Sequence, residues 1–308
     1  MTSPVSIAIA LPTFNRSLYL EHCLSEHHYC LDRYDVPVYI SDNASSDETE
    51  SIVQKHITDY PLISYHRNAQ TILPDENFEK ALGYPNTDYV WLLGDTYLIP
   101  EPTFEAVNKS LQEDNYNLVV VNMGGRVKDV NEQVYTDRSK LLADLGWHMT
   151  CLSTLIYSKE LLQNANYARF KDTNFLQTGI IFEYLGDRPI KVKWIPQVSV
   201  VGFDVPGVIK KSWEDQTFRI WTERWTNFIF SLPASYTLEA KLKCVMDHGT
   251  KSGLFHFSSV KRLRKKKLFN REIYCQYSRY FPFTINYPLF SLRMLASFPV
   301  WLLRLFGS

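Results

Sequence analysis

Val5-Ser6-Ile7-Ala8-Ile9-Ala10-Leu11-Pro12-Thr13-Phe14-Asn15-Arg16 is the stretch that decides the fold. A short β-branched run stopped by a proline is the pattern of a strand buried in a parallel sheet. From Ser17 to Cys30 the apolar residues Leu18, Leu20, Cys23 and Leu24 fall at helical spacing. Val36 to Ile40 forms a second strand pattern that ends in the polar turn Ser41-Asp42-Asn43. Ser46-Asp47-Glu48-Thr49-Glu50 then opens a helix, because cap-type residues and early acids satisfy and complement its free N–H groups. Leu62–Tyr65 and Tyr89–Leu93 read as further strands, with a helix around Asn77–Leu82 between them. Strands alternating with helices imply crossover connections and a mostly parallel α/β sheet. Ligands of such sheets bind beyond the carboxyl ends of the strands, so Thr13, Asn15, Asp42, Arg67 and Asp95 are expected to converge on one crevice.

Farther along, Leu118–Val121 predicts another strand, and residues 151–162 a strand running into a helix. Val192–Ile195 and Val198–Val201 are expected to pair with each other across Pro196-Gln197. Aromatic residues from Ser212 to Phe230 recur at helical spacing, and helix is expected to continue to about Asp247.

With 45% hydrophobic and 14% aromatic residues in 308, the chain has ample material for a packed core, which argues against wholesale disorder. Net charge is zero but uneven. From Val260 onward ten Lys or Arg face the single acid Glu272, leaving a net of −9 in the rest. Five cysteines, Cys23, Cys30, Cys151, Cys244 and Cys275, make no C-x-x-C pair and no metal-ligand spacing, which predicts reduced thiols in the cytosol. No signal-peptide pattern opens the sequence, and no uninterrupted apolar run of about 18 residues suggests a membrane-spanning helix.

The order and spacing of Leu11-Pro12-Thr13-Phe14-Asn15-Arg16, Ser41-Asp42-Asn43-Ala44-Ser45-Ser46-Asp47, Arg67-Asn68, Pro74-Asp75-Glu76-Asn77-Phe78 and Trp91-Leu92-Leu93-Gly94-Asp95 carry a resemblance. The series is similar to family-2 inverting glycosyltransferases of the GT-A fold, above all bacterial enzymes that build surface polysaccharides. It covers residues 5–100 well and 140–185 loosely. The resemblance implies a GT-A-type, Rossmann-like domain over residues 1–205, followed by a helical C-terminal region. It also implies a nucleotide-sugar donor of the UDP or dTDP type and a saccharide acceptor, commonly lipid-linked.

On that resemblance Asp42 would contact the base, with Pro12, Thr13 and Asn15 lining its pocket. Arg67 would serve the base or the diphosphate, Asn77 and Gly94 would complete the donor site, and Asp95 would hold the ribose or a metal. The bland readings stand beside these: Asp42 as a turn-capping Asx residue, Asp47 as a helix cap, Arg67 in a surface ion pair. The family's acidic cluster binds Mg²⁺ or Mn²⁺, hard cations that suit carboxylate and phosphate oxygens. Here the cluster reads Gly94-Asp95-Thr96-Tyr97, so a tyrosine stands where the metal-ligating acid is expected. Three readings follow: a metal held by Asp95 with other groups, charge met by Arg or Lys without metal, or a binding protein that no longer catalyses.

An inverting transfer needs a general base near the acceptor hydroxyl. Asp172 is the first candidate, His148 the second and Glu183 the third. Trp147, beside His148 and Gly146, is the candidate for stacking on an acceptor sugar. A solvated carboxylate and a structural histidine are the ordinary alternatives.

Lys261-Arg262-Leu263-Arg264-Lys265-Lys266-Lys267 precedes an aromatic, proline-broken segment ending Trp301-Leu302-Leu303-Arg304-Leu305-Phe306. That combination predicts short interfacial helices on an anionic membrane, placing the protein peripherally on the inner face of the cell membrane. A packed helical subdomain with a solvated basic face is the alternative; no nucleic-acid-binding module accompanies the run, so nucleic acid is not expected as a partner. Residues 206–260 are then a helical extension and 261–308 the membrane-associating tail.

Overall fold

The computed structural model describes residues 5–208 and 213–300. These residues divide between two compact units. One lies within Met1–Arg138 and Met149–Ile209, the other within Ser139–His148 and Lys210–Ser308. The short segment Ser139–His148 goes with the C-terminal unit.

The first unit runs β1 (Ile7–Thr13), α1 (Ser17–Glu26), α2 (His28–Tyr34), β2 (Val38–Asp42), α3 (Thr49–Asp59), β3 (Ile63–Arg67), α4 (Pro74–Gly83), β4 (Tyr89–Leu92), β5 (Tyr97–Leu98), α5 (Glu101–Glu113), β6 (Leu118–Met123) and β7 (Gln133–Tyr135). After α6 (Arg138–Leu145) it resumes with β8 (Leu155–Ser158), α7 (Lys159–Gln163), α8 (Leu176–Tyr184) and β9 (Val192–Gly202). Strands follow the order β3-β2-β1-β4-β8-β6-β9-β5, with β7 also on β9.

β3, β2, β1 and β4 are parallel, as the alternating pattern predicts. β8 enters antiparallel between β4 and β6, and β5 and β7 are antiparallel to β9. Every residue of β1 is buried, which is why its sequence is apolar without alternation. Ile9, Leu11, Val38, Ile40 and Trp91 share one core with Leu20 and Leu24 of α1, Val53 of α3 and Phe104 of α5.

One expectation fails here. Val192–Ile195 and Val198–Val201 do not pair with each other; they belong to the single strand β9. Pro196 and Gln197 are taken up by a shift in register against β6, between Val121 and Asn122. A bulge tolerates a proline that a regular ladder would reject.

The second unit holds α6 beyond its first residue, then α9 (Trp225–Ser231), α10 (Leu238–Lys251), α11 (Phe257–Lys265), α12 (Arg271–Tyr277), α13 (Phe281–Thr284) and α14 (Leu289–Ser297). A π-helical turn, Arg219–Arg224, leads into α9. Phe218 stacks on Phe269 at 4.9 Å and shares a core with Phe255, Leu263, Tyr277, Phe281, Leu292 and Leu295. The expected extension and tail therefore share one core. α6 docks on α10 closely enough that a Cβ on Gly146 would meet Cys244 Sγ at 2.6 Å.

Candidate functional site

Parallel register sets three candidate residues in a row. Thr13 is opposite Asp42, and Asp42 opposite Arg67, each closing its own strand. On the other side of β1, Ala10 pairs with Leu92 of β4, so Asp95 emerges beside Thr13. The order β3-β2-β1-β4 reverses direction at β1, where the crevice of a doubly wound sheet opens.

Thr13 ties Asp95 to the end of β2. Its hydroxyl donates to Asp95 Oδ2 at 2.9 Å, while its carbonyl accepts the Asn43 amide at 3.0 Å. Arg16 Nη1 donates to Asp95 Oδ1 at 3.0 Å. Asp42 is wholly buried and receives the Ser45 amide at 2.9 Å and hydroxyl at 2.5 Å on Oδ1, and the Tyr65 phenol at 2.6 Å on Oδ2. Burial and this bond push the Tyr65 pKa well up, which keeps the phenol a donor. Arg67 reaches Asp42 with Nε at 3.5 Å and donates from Nη2 to the Ser45 carbonyl at 2.7 Å. Asp42 is thus more than a cap of its own turn.

Asn15 and Ala44 have positive φ, 51° and 58°. Asn15 spans between the two strand ends: its amide donates to Ser45 Oγ at 2.9 Å, and its side-chain oxygen accepts the Ser46 amide at 2.7 Å. Asn is among the residues that adopt this conformation most readily. Asn77 is buried beneath the row, accepting Ser41 Oγ at 2.8 Å and donating to the Ser41 carbonyl at 3.0 Å. Pro12 is buried within β1, and the Gly94 amide donates to Ser153 Oγ at 3.0 Å. Asp47 accepts the Ser17 amide at 2.9 Å and the Thr49 amide at 3.2 Å, but the cap position of α3 is Glu48 and carries no side-chain cap bond, so Asp47 is not the helix cap expected of it.

Asp172 is exposed on a loop before α8 with φ of 59°. That loop is tied to α4: the Asn174 amide donates to Asp75 Oδ2 at 3.3 Å, and Lys171 pairs with Glu79 at 3.2 Å. Glu183 is engaged by Arg169 at 2.5 Å. Trp147 and His148 belong to the second unit and are fully buried, with the Lys251 ammonium 5.9 Å from the Trp147 ring. The glycine before them is accounted for by the close approach of Cys244. Two cavities of about 680 and 550 Å³ sit at the other end of the sheet, around Tyr116, Ser158 and Lys191 and around Tyr84, Thr87 and Tyr167; neither is lined by the donor-side row.

The divalent cation that the family resemblance implies does not fit the side chains of the Gly94–Tyr97 turn. Both Asp95 oxygens are engaged, one by a guanidinium that a second cation would repel. Tyr97 is partly buried, and burial raises its pKa far enough to keep the phenol neutral. Among the described residues no group of three or more His, Cys, Asp or Glu is placed to hold a metal.

Sequence reasoning missed Ser45, Tyr65 and Arg16 as parts of the row. Ser45 and Arg16 stood inside quoted motifs, whereas Tyr65 is an ordinary strand residue that gave no signal.

The fold and this strand-end row define an α/β protein with polar side chains gathered at the switch point of its sheet, and comparison with known proteins gives its family. Residues 8–194 match the family described as Glycosyl transferase family 2. The chain belongs to that family. Over 91 residues it is 36% identical to the abequosyltransferase RfbV of Salmonella typhimurium strain LT2, a match covering 29% of this chain and 27% of that relative. The matched region thus spans about a quarter of the curated relative's length. Among solved structures, TarS residues 1–349 from S. aureus, in complex with UDP-GlcNAc, is similar with a TM-score of 0.61 and 12% identity, over 91% of this chain and 84% of that one. The mannosyltransferase PcManGT from Pyrobaculum calidifontis, in complex with GDP-Man and Mn²⁺, gives 0.57 and 14% over 96% and 86%. At these identities the likeness shows the fold, which is GT-A.

Proposed function

We propose that this protein transfers a sugar from a nucleoside-diphosphate sugar to a hydroxyl of a saccharide acceptor, with inversion, in bacterial surface-polysaccharide synthesis. The observation that carries this reading is the register that sets Thr13 opposite Asp42, together with the bond from the Thr13 hydroxyl to Asp95, at the switch point of the sheet. Asp42 and its Ser45–Tyr65–Arg67 surroundings form the base end of the donor site, and Asp95 the end nearer the ribose and diphosphate. Pro12, Thr13, Asn15, Asn77 and Gly94 shape the backbone between them. RfbV, by its name, transfers a sugar, and TarS was solved with a nucleotide sugar, which supports this class of donor.

In the reaction, the acceptor oxygen forms a bond to the anomeric carbon as the bond from that carbon to the diphosphate breaks. The hydroxyl proton passes to Asp172, the exposed carboxylate of the loop before α8. Because His148 and Trp147 are buried, this reading gives them no contact with the acceptor.

A lipid-linked acceptor at the inner face of the membrane belongs to the same proposal. Among the described residues no helix is long and apolar enough to cross a membrane. Phe290, Arg293, Met294 and Ser297 are exposed on one face of α14, which suits an interfacial contact. Support from the basic run is narrower than its composition suggests. Arg262 and Lys266 pair with Glu214, and Arg264 donates to the carbonyls of Phe269 and Phe298. Tyr277 and Phe281 are consumed by the core. Residues Trp301–Phe306 lie outside the described residues.

The test is a transfer assay with a panel of nucleotide sugars and saccharide acceptors. Asp42→Ala and Asp95→Ala should each lower turnover by at least about a hundredfold, and Asp172→Asn should abolish transfer while leaving donor binding. Full activity in both strand-end variants would remove the proposal. Donor binding without turnover on any acceptor would favour the reading that Tyr97 motivates, a family member retained for binding.

A further inference from the structure

β2 and β3 are followed directly by Asn43 and Asn68, and both carry buried side-chain amides. Asn77 of α4, also buried, completes a group of three. Lys80, exposed about one turn farther along α4, fixes which way round these amides lie. An ammonium only donates, so its contact at 2.7 Å is with the Asn68 side-chain oxygen. Asn68 Nδ2 is thereby turned inward, where it donates to Asn77 Oδ1 at 3.0 Å and Asn43 Oδ1 at 3.2 Å. With its oxygen on that side, Asn43 turns Nδ2 to the Ile72 carbonyl at 2.9 Å. The Ile72 amide donates back to Asn43 Oδ1, also at 2.9 Å. The two bonds imitate a rung of a β-ladder between a side chain and a backbone. Asn43 thus fastens the connection from β3 to α4 at the end of β2. Its own amide donates to the Thr13 carbonyl at 3.0 Å, and the Asn68 amide to the Asp42 carbonyl at 2.8 Å. Ile72 is therefore held by the residue that follows Asp42, while Ala69, Gln70, Thr71 and Leu73 around it are exposed.

We propose that Asn43 and Lys80 are positioning residues for the donor's nucleobase. Asn43 holds Ile72 as a wall of the base pocket, and Lys80 sets the amide orientation on which that hold depends. The inference rests on the donor-site reading above and deepens it, because neither residue is asked to touch the ligand. A base is flat and apolar on its faces. A branched aliphatic residue at a fixed place beside it favours one ring size and shape over another. Residues 68–73 form neither strand nor helix, so the connection's own backbone ladder does not fix that place, and the paired bonds from Asn43 do. Because the three amides share their donors and acceptors, reversing one of them sets oxygen against oxygen at the next.

The experiment is isothermal titration of the full chain with UDP, CDP, GDP and dTDP, with Mn²⁺ present and absent, read as the ratio of the weakest Kd to the tightest. The unsubstituted chain should give a ratio of about tenfold or more, the scale on which the shape of a pocket separates ligands. Asn43→Ala should bring that ratio down by roughly fivefold or more. Lys80→Glu reaches the same pocket from outside: a carboxylate only accepts, so Asn68 turns over and its oxygen meets those of Asn43 and Asn77. The ratio should then fall by about threefold or more, the size expected of a residue acting without ligand contact, and Lys80→Arg should restore it. All four ligands carry the same diphosphate, so the changed charge at residue 80 moves the four Kd values together and leaves their ratio alone. Thermal unfolding shows which variants are folded at the titration temperature; if Asn43→Ala is not, Lys80→Glu decides. A ratio unchanged in Lys80→Glu overturns the role of Lys80, and one unchanged in folded Asn43→Ala overturns the hold on Ile72. An unsubstituted chain that binds all four nucleotides alike overturns the inference outright. If none of the four binds in either buffer, the donor-site reading falls and takes the inference with it.

Discussion

Asp42→Asn tests how the proposed base end of the site is built, because it keeps the shape of a fully buried carboxylate and removes only its charge. Three donors point at that carboxylate, at 2.9, 2.5 and 2.6 Å, and Arg67 stands at 3.5 Å. An asparagine with its oxygen toward Ser45 keeps two of these as neutral bonds and turns an N–H toward the Tyr65 oxygen. Hydrogen bonds to charged groups contribute about 1.5–3 kcal/mol, and neutral ones about 1 kcal/mol. Losing the charge from all three gives a destabilisation of about 2–3 kcal/mol on that scale. Tyr65→Phe deletes one bond and should cost about 1.5 kcal/mol. The assay is equilibrium urea unfolding of the two single variants and the double variant, read as a shift in midpoint at constant slope. In the Asp42→Asn background the cost of Tyr65→Phe should fall to about 0.5 kcal/mol, because most of what the phenol gave was paired with the charge. Strict additivity would refute the reasoning, since the two groups would then not act on each other. So would an Asp42→Asn protein with unchanged stability.

Three further outcomes follow from other parts of the molecule. Gly146→Ala should destabilise by about 1–3 kcal/mol, because the added methyl meets Cys244 Sγ at 2.6 Å and the Leu142 carbonyl at 2.7 Å; thermal unfolding checks it. His27 is buried, its Nδ1 lies 2.6 Å from the Cys23 carbonyl and its Nε2 accepts the Ile99 amide, so the neutral ring is required and burial lowers its pKa below 6.5. The unfolded chain then binds the extra proton first, so stability is full above about pH 6.5 and falls as the pH drops below it. Urea midpoints at pH 7.5 and 5.5 should differ less in His27→Gln, with buried His56 supplying the remainder. The full chain should sediment with vesicles containing anionic lipid more than with zwitterionic ones. Phe290→Ser with Met294→Ser should lower that fraction severalfold; an unchanged fraction would count against α14 as the contact.

How much of this was legible depended on whether local pattern or distant packing made the decision. β1, β2 and β4 announce themselves because a strand buried on both faces has few options beyond β-branched and apolar residues. Once the strands are placed, parallel register carries Thr13, Asp42 and Arg67 to one edge, so that much of the row was readable. Tyr65 as the partner of Asp42 was not, since a half-buried tyrosine in a strand looks the same whatever its hydroxyl meets. The path of β9 through Pro196 was misread because proline usually ends a strand, and only the bulge against β6 admits it. For the aromatic C-terminal segment, amphipathic pattern does not distinguish a bilayer from a neighbouring helix, so the sequence left both readings standing. Phe218, some fifty residues before that segment, supplies the ring against which Phe269 and Phe281 pack.

The second unit is assembled from two pieces of chain, with Ser139–His148 lent from within the first. During synthesis α6 leaves the ribosome long before α10, the helix that receives the Gly146 notch and whose Lys243 donates to the Ala143 carbonyl. For that interval, roughly five to twenty seconds at ordinary elongation rates, Leu142 and Trp147 have no finished seat. The protein therefore cannot mature strictly from front to back. A fragment ending at residue 209 should be an aggregation-prone half rather than a working domain, and a split-protein design would have to cut before 139 or graft that helix onto the other half.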